Sequence, residues 1–155
     1  MSSIVRTIKV AELPKLNPLF AANNQAKFIK KRAERINRKE IDIYVLELDN
    51  KIIGEVTIVY QHDNHPDYTI PGQRVYMEAL RVLEAYQRQG HAQHLLTEVI
   101  KKVKAQGYLE ITIGVEDDNE NAKHIYTKFG FTLFLRRDHG DEEDPCDYNV
   151  YLKRL

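Results

Sequence analysis

An apolar run from Val75 to Val82 passes through Gln87-Arg88-Gln89-Gly90-His91-Ala92 into a segment where Ala92, Leu95, Leu96, Val99, Ile100 and Val103 recur at helical spacing. A strand that feeds a helix through a glycine turn constrains this chain more than anything else in it, because it implies both an α/β unit and an anion site. The first turn of a helix carries N–H groups without intrahelical partners, and the aligned peptide dipoles put partial positive charge at the same end. Gly90 and the small Ala92 leave room for a phosphate to approach the backbone, and Arg88 adds a charged donor.

At 155 residues and 43% apolar content, one compact domain over residues 1–155 is expected, with enough chain to bury a core. The 23 basic and 23 acidic residues balance, so no global field draws the chain to nucleic acid or to an anionic membrane. The lone Cys146 excludes an intrachain disulfide framework, and the N-terminus lacks the apolar stretch of a secretion signal. No apolar run approaches the roughly 20 residues of a bilayer span. A cytoplasmic protein is the expectation.

Ile4 to Val10 alternates as a strand. Residues 11–22 and 25–39 read as helices, the second amphipathic through Phe28, Ile29, Arg32 and Ile36, with Asn23 or Asn24 as its N-cap and a basic outer face. Ile41 to Leu48 and Ile52 to Tyr60 form a hairpin about Asp49-Asn50-Lys51. Residues 61–74, with Pro66, Pro71 and Gly72, are a loop before the Val75 strand. Gly107 stops the following helix, and Tyr108 to Val115 is a strand apolar enough to be covered on both faces. Ala122, Ile125, Tyr126 and Phe129 mark a short helix that starts near Asn119 and stops at Gly130. Phe131 to Arg136 and Tyr148 to Leu152 close the chain as an antiparallel pair around an acidic loop. The fold class is α/β (α+β), a mixed sheet with helices on both faces.

The turn Gln87-x-x-Gly90-x-Ala92 after Leu80-Arg81-Val82, together with Asn119-x-x-Ala122-x-x-x-Tyr126-x-x-x-Gly130-Phe131, resembles the GCN5-related N-acetyltransferase (GNAT) family. The resemblance covers the whole chain in element order and is specific over residues 75–131. It implies a largely antiparallel central sheet in which two parallel strands splay apart into a cleft for acetyl-CoA. It also implies transfer of the acetyl group to an amine acceptor, either a small molecule or a protein amino group. Carried over residue by residue, Leu80, Arg81 and Val82 offer backbone groups to the pantetheine arm. Arg88, Gln89, Gly90, His91, Ala92 and Gln93 hold the pyrophosphate, Asn119 steadies the arm, and Tyr126 stands beside the sulfur. Gln87 and Ala92 stand where arginine and glycine are also common in that pattern.

Amide formation from a thioester needs a neutral amine, a stabilised oxyanion and a proton for the thiolate. A backbone N–H near Leu80 to Val82 suits the oxyanion. A phenol at its ordinary pKa near 10 gives its proton to a thiolate near 8.5 at a cost of roughly 2 kcal/mol, so Tyr126 suits hydrogen-bond donation to the leaving group. By its spacing alone, on the apolar stripe of its helix, Tyr126 reads as a core aromatic, and only the motif assigns it this task. For the base, Glu78 shares a strand face with Leu80 and Val82 under regular alternation, and the cost of burying an unpaired carboxylate turns it to the cleft; a β-bulge would reverse that inference. Some relatives carry a glutamate base on the next strand, but Gly114 stands at that position here. Glu116 and a water-mediated route stay open.

His62 with His65, and His91 with His94, lack a third ligand at metal spacing, so no metal is expected. The basic face of Lys27, Lys30, Lys31, Arg32, Arg35, Arg38 and Lys39 reads as a solvated helix face. The acidic loop of Asp141, Glu142, Glu143, Asp144 and Asp147 would concentrate cationic amines if it borders the acceptor mouth. The family resemblance implies an acceptor pocket built from residues 20–40, 61–74 and 138–147, with His65, Tyr68 and Tyr76 as lining candidates. A homodimer stays open, as does a second reading in which the same fold senses acyl-CoA without turnover.

Overall fold

The structure is a computed structural model and describes residues 2–19, 25–62, 65, 67–140 and 145–155. Its strands are β1 (Ser3–Thr7), β2 (Ile41–Leu48), β3 (Lys51–Val59), β4 (Arg74–Val82), β5 (Glu110–Glu116), β6 (Leu133–Gly140) and β7 (Pro145–Arg154). Its α-helices are α1 (Gln25–Asn37), α2 (His91–Ala105) and α3 (Glu120–Lys128). One seven-stranded sheet runs in the order β1-β2-β3-β4-β5-β7-β6, antiparallel throughout except for the parallel β4–β5 pair. This is the mixed, largely antiparallel sheet expected from the sequence, with helices on both faces.

Two apolar clusters fill the two faces. Leu95, Leu96, Val99 and Val103 of α2 pack on Val56, Ile58, Met77, Ile111, Ile113 and Val115, and α3 adds Ala122, Ile125 and Tyr126 at the margin. On the other face Leu13 and Leu16 join Ile41, Ile43, Val45, Val59 and Tyr76, with Ile29, Ala33 and Ile36 of α1 against them. A β5 strand covered on both sides explains its unbroken apolar run.

Residues 10–19 form a 3-10 segment instead of an α-helix. Pro14 and Pro18 each remove a backbone donor and clash with the preceding turn, so an α-helical ladder cannot form across them. The candidate caps Asn23 and Asn24 lie outside the described residues. The β2–β3 turn is tighter than expected, since Asp49 and Asn50 both take left-handed backbones (φ 49° and 69°), the geometry of a two-residue type I′ hairpin. The closing strands β6 and β7 run longer than their apolar cores suggest, because ladder pairing extends to Gly140 and Pro145.

Near the N-terminus Arg6 grips Glu12 with two hydrogen bonds of 2.9 and 2.6 Å and also pairs with Glu47. That guanidinium, with the Lys9 backbone N–H, holds the Glu12 carboxyl at about 2 against an ordinary 4.5. A lowered folded-state value means the pair stabilises the fold fully above pH 4.5 and is lost as pH falls toward 2. Glu12→Gln should therefore remove about 1 kcal/mol of acid-sensitive stability from a partly exposed pair. Urea midpoints between pH 2 and 7 check this: the acid limb of the variant should be flatter than that of the parent.

Candidate active site

Strand β4 forks from β5. Their parallel register covers Arg74↔Glu110 to Met77↔Ile113 and stops there, while β4 continues to Val82 against β3. Beyond Met77 the β5-facing edge of β4 therefore has no ladder partner. Leu83 donates its N–H to Ile53 at 2.8 Å, so by antiparallel alternation Val82 turns its backbone polar groups to the open edge. The Val82 carbonyl accepts Gln87 Nε2 at 2.9 Å, which pins the strand end to the following turn.

That turn ends in two left-handed residues, Arg88 (φ 62°) and Gly90 (φ 83°). Left-handed residues set between right-handed ones turn successive N–H groups to one side, the geometry of an anion nest. Gly90 caps α2 and offers no side chain, so His91, Ala92 and Gln93 present N–H groups that neither the helix nor its cap satisfies. Across the fork Asn119 caps α3, its Oδ1 accepting the Ala122 N–H at 3.0 Å. This leaves the Asn119 amide Nδ2 as the part of the side chain able to donate.

These elements enclose a cleft of about 670 Å³. Of the residues singled out in the sequence, Leu80, Val82, Arg88, Gly90, His91, Ala92, Gln93, Asn119 and Tyr126 line it. Gln89 lies outside, with its amide on the Ala85 carbonyl at 3.2 Å. The Arg81 side chain also leaves the cleft, reaching Glu55 at 3.7 Å on the opposite face of the sheet. Tyr126 is half-buried, and burial pushes its phenol up to about 12, so it is a neutral donor across the working pH range.

The predicted alignment of Glu78, Leu80 and Val82 on one face is corrected by a β-bulge. Thr57 pairs with Glu78 and Glu55 with Arg81, so one extra β4 residue opposes Val56, and Ala79 takes a left-handed backbone (φ 60°). Parity flips at the bulge. Leu80 packs with the α2-side cluster, whereas Glu78 shares the α1 face with Thr57 and Tyr76 and lies 3.4 Å from Arg35 Nη1.

On that α1 face the fork is lined by tyrosines. Gly114 is the first β5 residue past the parallel ladder, and a Cβ there would lie 2.8 Å from Tyr148 Cδ2 and 3.1 Å from Tyr76 Oη. The missing side chain is what admits these two phenols. Burial raises both phenols above their ordinary value, and for Tyr76 the fields of Glu78, Tyr148 and Tyr126 add to it. Tyr126 packs with the α2-side cluster and Tyr76 with the α1-side cluster, so the two phenols belong to opposite faces of the sheet. Tyr68 stacks between His65 at 4.5 Å and Tyr76 at 4.8 Å, and His62 meets Tyr68 and Tyr76 edge-on at 5.1 and 5.5 Å between ring centroids, so the two histidines are members of an aromatic cluster. Tyr148 is the residue the sequence reading passed over, since its strand spacing carries no hint of its proximity to Gly114.

The basic face of α1 is also only partly solvated. Arg32 is buried and pairs with Glu55, which is fully buried on β3, while Arg35 bridges Glu40 and Glu78. Asp147 is met by Arg137 at 3.3 Å and His139 at 2.7 Å, so it does not stand as an open charge; Asp141, Glu142, Glu143 and Asp144 lie outside the described residues. No helix among the described residues is long and apolar enough to cross a membrane.

Comparison with known proteins agrees with this geometry. The N-acetyltransferase of Staphylococcus aureus Mu50 superposes with a TM-score of 0.73 at 19% identity, covering 99% of each chain. Arabidopsis thaliana NAA60, solved with acetyl-CoA, superposes with a TM-score of 0.71 at 20% identity, again over 99% of each chain. In sequence, N-alpha-acetyltransferase 30 of Schizosaccharomyces pombe is 33% identical over 90 residues, a match that spans 57% of this chain and 57% of that protein. The profile of the acetyltransferase (GNAT) family matches residues 10–131, which include the fork, the glycine turn and α3; the chain belongs to that family.

Proposed function

We propose that this chain is an acetyl-CoA-dependent N-acetyltransferase, folded as one catalytic domain and acting on a primary amine. The observation that carries the reading is the two-sided fork. On the α2 face an anion nest and an unpaired strand edge adjoin one cleft, and on the α1 face the rings of Tyr76 and Tyr148 meet at Gly114, with Glu78 two residues along β4 from Tyr76. A diphosphate with a long amide-bearing arm fits the first face, since N–H groups at 91–93 suit phosphate oxygens and the β4 edge suits amides. When bound, acetyl-CoA supplies the activated acyl group.

The chain's own residues then have separable tasks. His91, Ala92 and Gln93 hold the diphosphate through their N–H groups, with Arg88 as a charged donor at the rim. Leu80 and Val82 pair the arm along the β4 edge, and Asn119 Nδ2 steadies it from α3. Tyr126 Oη donates a hydrogen bond toward the departing sulfur. Glu78 and Tyr76 face the acceptor amine from the α1 side. The curated relative's action on alpha-amino groups makes a peptide N-terminus the first acceptor to try. The lone cysteine supports a cytoplasmic setting.

Two measurements on the full chain test this. Calorimetry should register uptake of coenzyme A, and a free-thiol assay with acetyl-CoA should report release on peptide N-termini or small primary amines. Uptake without release on any amine would instead indicate an acyl-CoA sensor; no uptake would remove the reading altogether.

A further inference from the structure

We propose that the acceptor amine loses its proton through a directional relay, Tyr148 to Tyr68 to Asp138, entered beside Gly114. This rests on the acetyltransferase reading above and adds to it a route for the proton distinct from Glu78, which Arg35 meets at 3.4 Å. The direction follows from hydrogen-bond chemistry. Asp138 Oδ2 lies 2.6 Å from Tyr68 Oη, and an ionised carboxylate only accepts, so Tyr68 must donate to it. Having spent its one proton there, Tyr68 Oη accepts from Tyr148 Oη at 2.9 Å. Tyr148 thus has its own proton turned away and only lone pairs left, and its ring lies over Gly114 at the apex of the fork.

The groups facing Asp138 keep it ionised. His65 Nδ1 lies 3.3 Å away from the loop before β4, Arg136 Nη2 lies 3.6 Å away on β6, and the His139 backbone N–H donates at 3.1 Å. Together with Tyr68 these hold the carboxyl below its usual range against the opposing effect of burial. Burial raises the phenols of Tyr68 and Tyr148, so neither stands as a phenolate and the shift along the chain is concerted.

The step balances. The ammonium N–H bond breaks as a Tyr148 O–H bond forms, the former Tyr148 proton moves to Tyr68, and the former Tyr68 proton moves to Asp138. Ammonium plus carboxylate become amine plus carboxylic acid, and both phenols end neutral. Asp138, whose side chain is partly exposed, then gives that proton to solvent water and is again the ionised acceptor.

The test is the pH dependence of thiol release by full-length Tyr148→Phe, Tyr68→Phe and Asp138→Asn with the amine that the parent turns over best. At neutral pH each should lower kcat about 10- to 100-fold, with the KM for acetyl-CoA within about twofold. The deficit should shrink as pH rises toward the amine's own pKa, where the acceptor arrives neutral. A deficit equal at all pH values, or kcat within about twofold of the parent, overturns the relay. Should the buried Tyr68 variant fail to fold, Tyr148→Phe and Asp138→Asn decide, with coenzyme A uptake confirming a folded protein. A parent that releases no thiol with any amine overturns the enzyme reading itself, which separates the two failures.

Discussion

Glu55→Ala is expected to lower the unfolding free energy by about 3–5 kcal/mol, the range for removing one partner of a buried ion pair. Glu55 is fully buried on β3 and meets Arg32 of α1, itself only 6% exposed, with Arg81 of β4 at 3.7 Å. The substitution leaves the Arg32 guanidinium buried without its carboxylate, and the Thr57 hydroxyl at 3.4 Å is too long and too weak a partner to replace it. The pair itself need not add net stability, because desolvation of both charges opposes their attraction. The double variant Arg32→Met, Glu55→Leu should therefore recover most of the loss. Urea unfolding of the single and double variants measures both effects, and a loss below about 1 kcal/mol in the single variant would show that water reaches the site and solvates Arg32. Because Glu55 joins α1 to the part of β4 beyond the bulge, uptake of coenzyme A should weaken alongside.

The second large effect is on turnover. Tyr126→Phe should lower kcat about 100-fold while leaving affinity for acetyl-CoA within about twofold, the pattern of a group that acts as charge develops on the sulfur. Burial pushes the phenol to about 12. Against a thiol near 8.5, complete transfer would be uphill by roughly 5 kcal/mol, so the task is a hydrogen bond that strengthens as the thiolate forms. The raised value also fixes the sign of the pH response. Tyr126 keeps its proton through pH 10, so it adds no descending limb to the kcat profile there. Single-turnover thiol release by the two proteins checks this, and unchanged kcat would leave Tyr126 as a packing residue of α3.

The two faces of the site differ in how readable they are in the chain. The α2 face is local: strand, turn, Gly90 and helix are consecutive, and Asn119, Ala122 and Tyr126 follow from one helix's spacing. Most of its candidate residues accordingly line one cleft. The exceptions, Arg81 and Gln89, are positions where only the backbone or the turn geometry decides direction. On the α1 face, alternation along β4 misplaces Glu78 relative to Leu80, because the bulge at Ala79 is set by pairing with β3. Likewise the basic stripe of α1 looks solvated until Glu55 is found beneath it, since a buried carboxylate on β3 and an arginine 23 positions earlier share no local pattern.

The sequence by itself determined the element order, the glycine turn with its unpaired N–H groups and the capped start of α3, because each depends on residues within one or two helical turns of one another. Only the tertiary structure decided where β4 parts from β5, that Gly114 makes room for Tyr76 and Tyr148, and that Tyr68 and Asp138 stand behind them. These contacts join residues about 30 to 80 positions apart, and their geometry is set by strand register and by the insertion of β7 between β5 and β6.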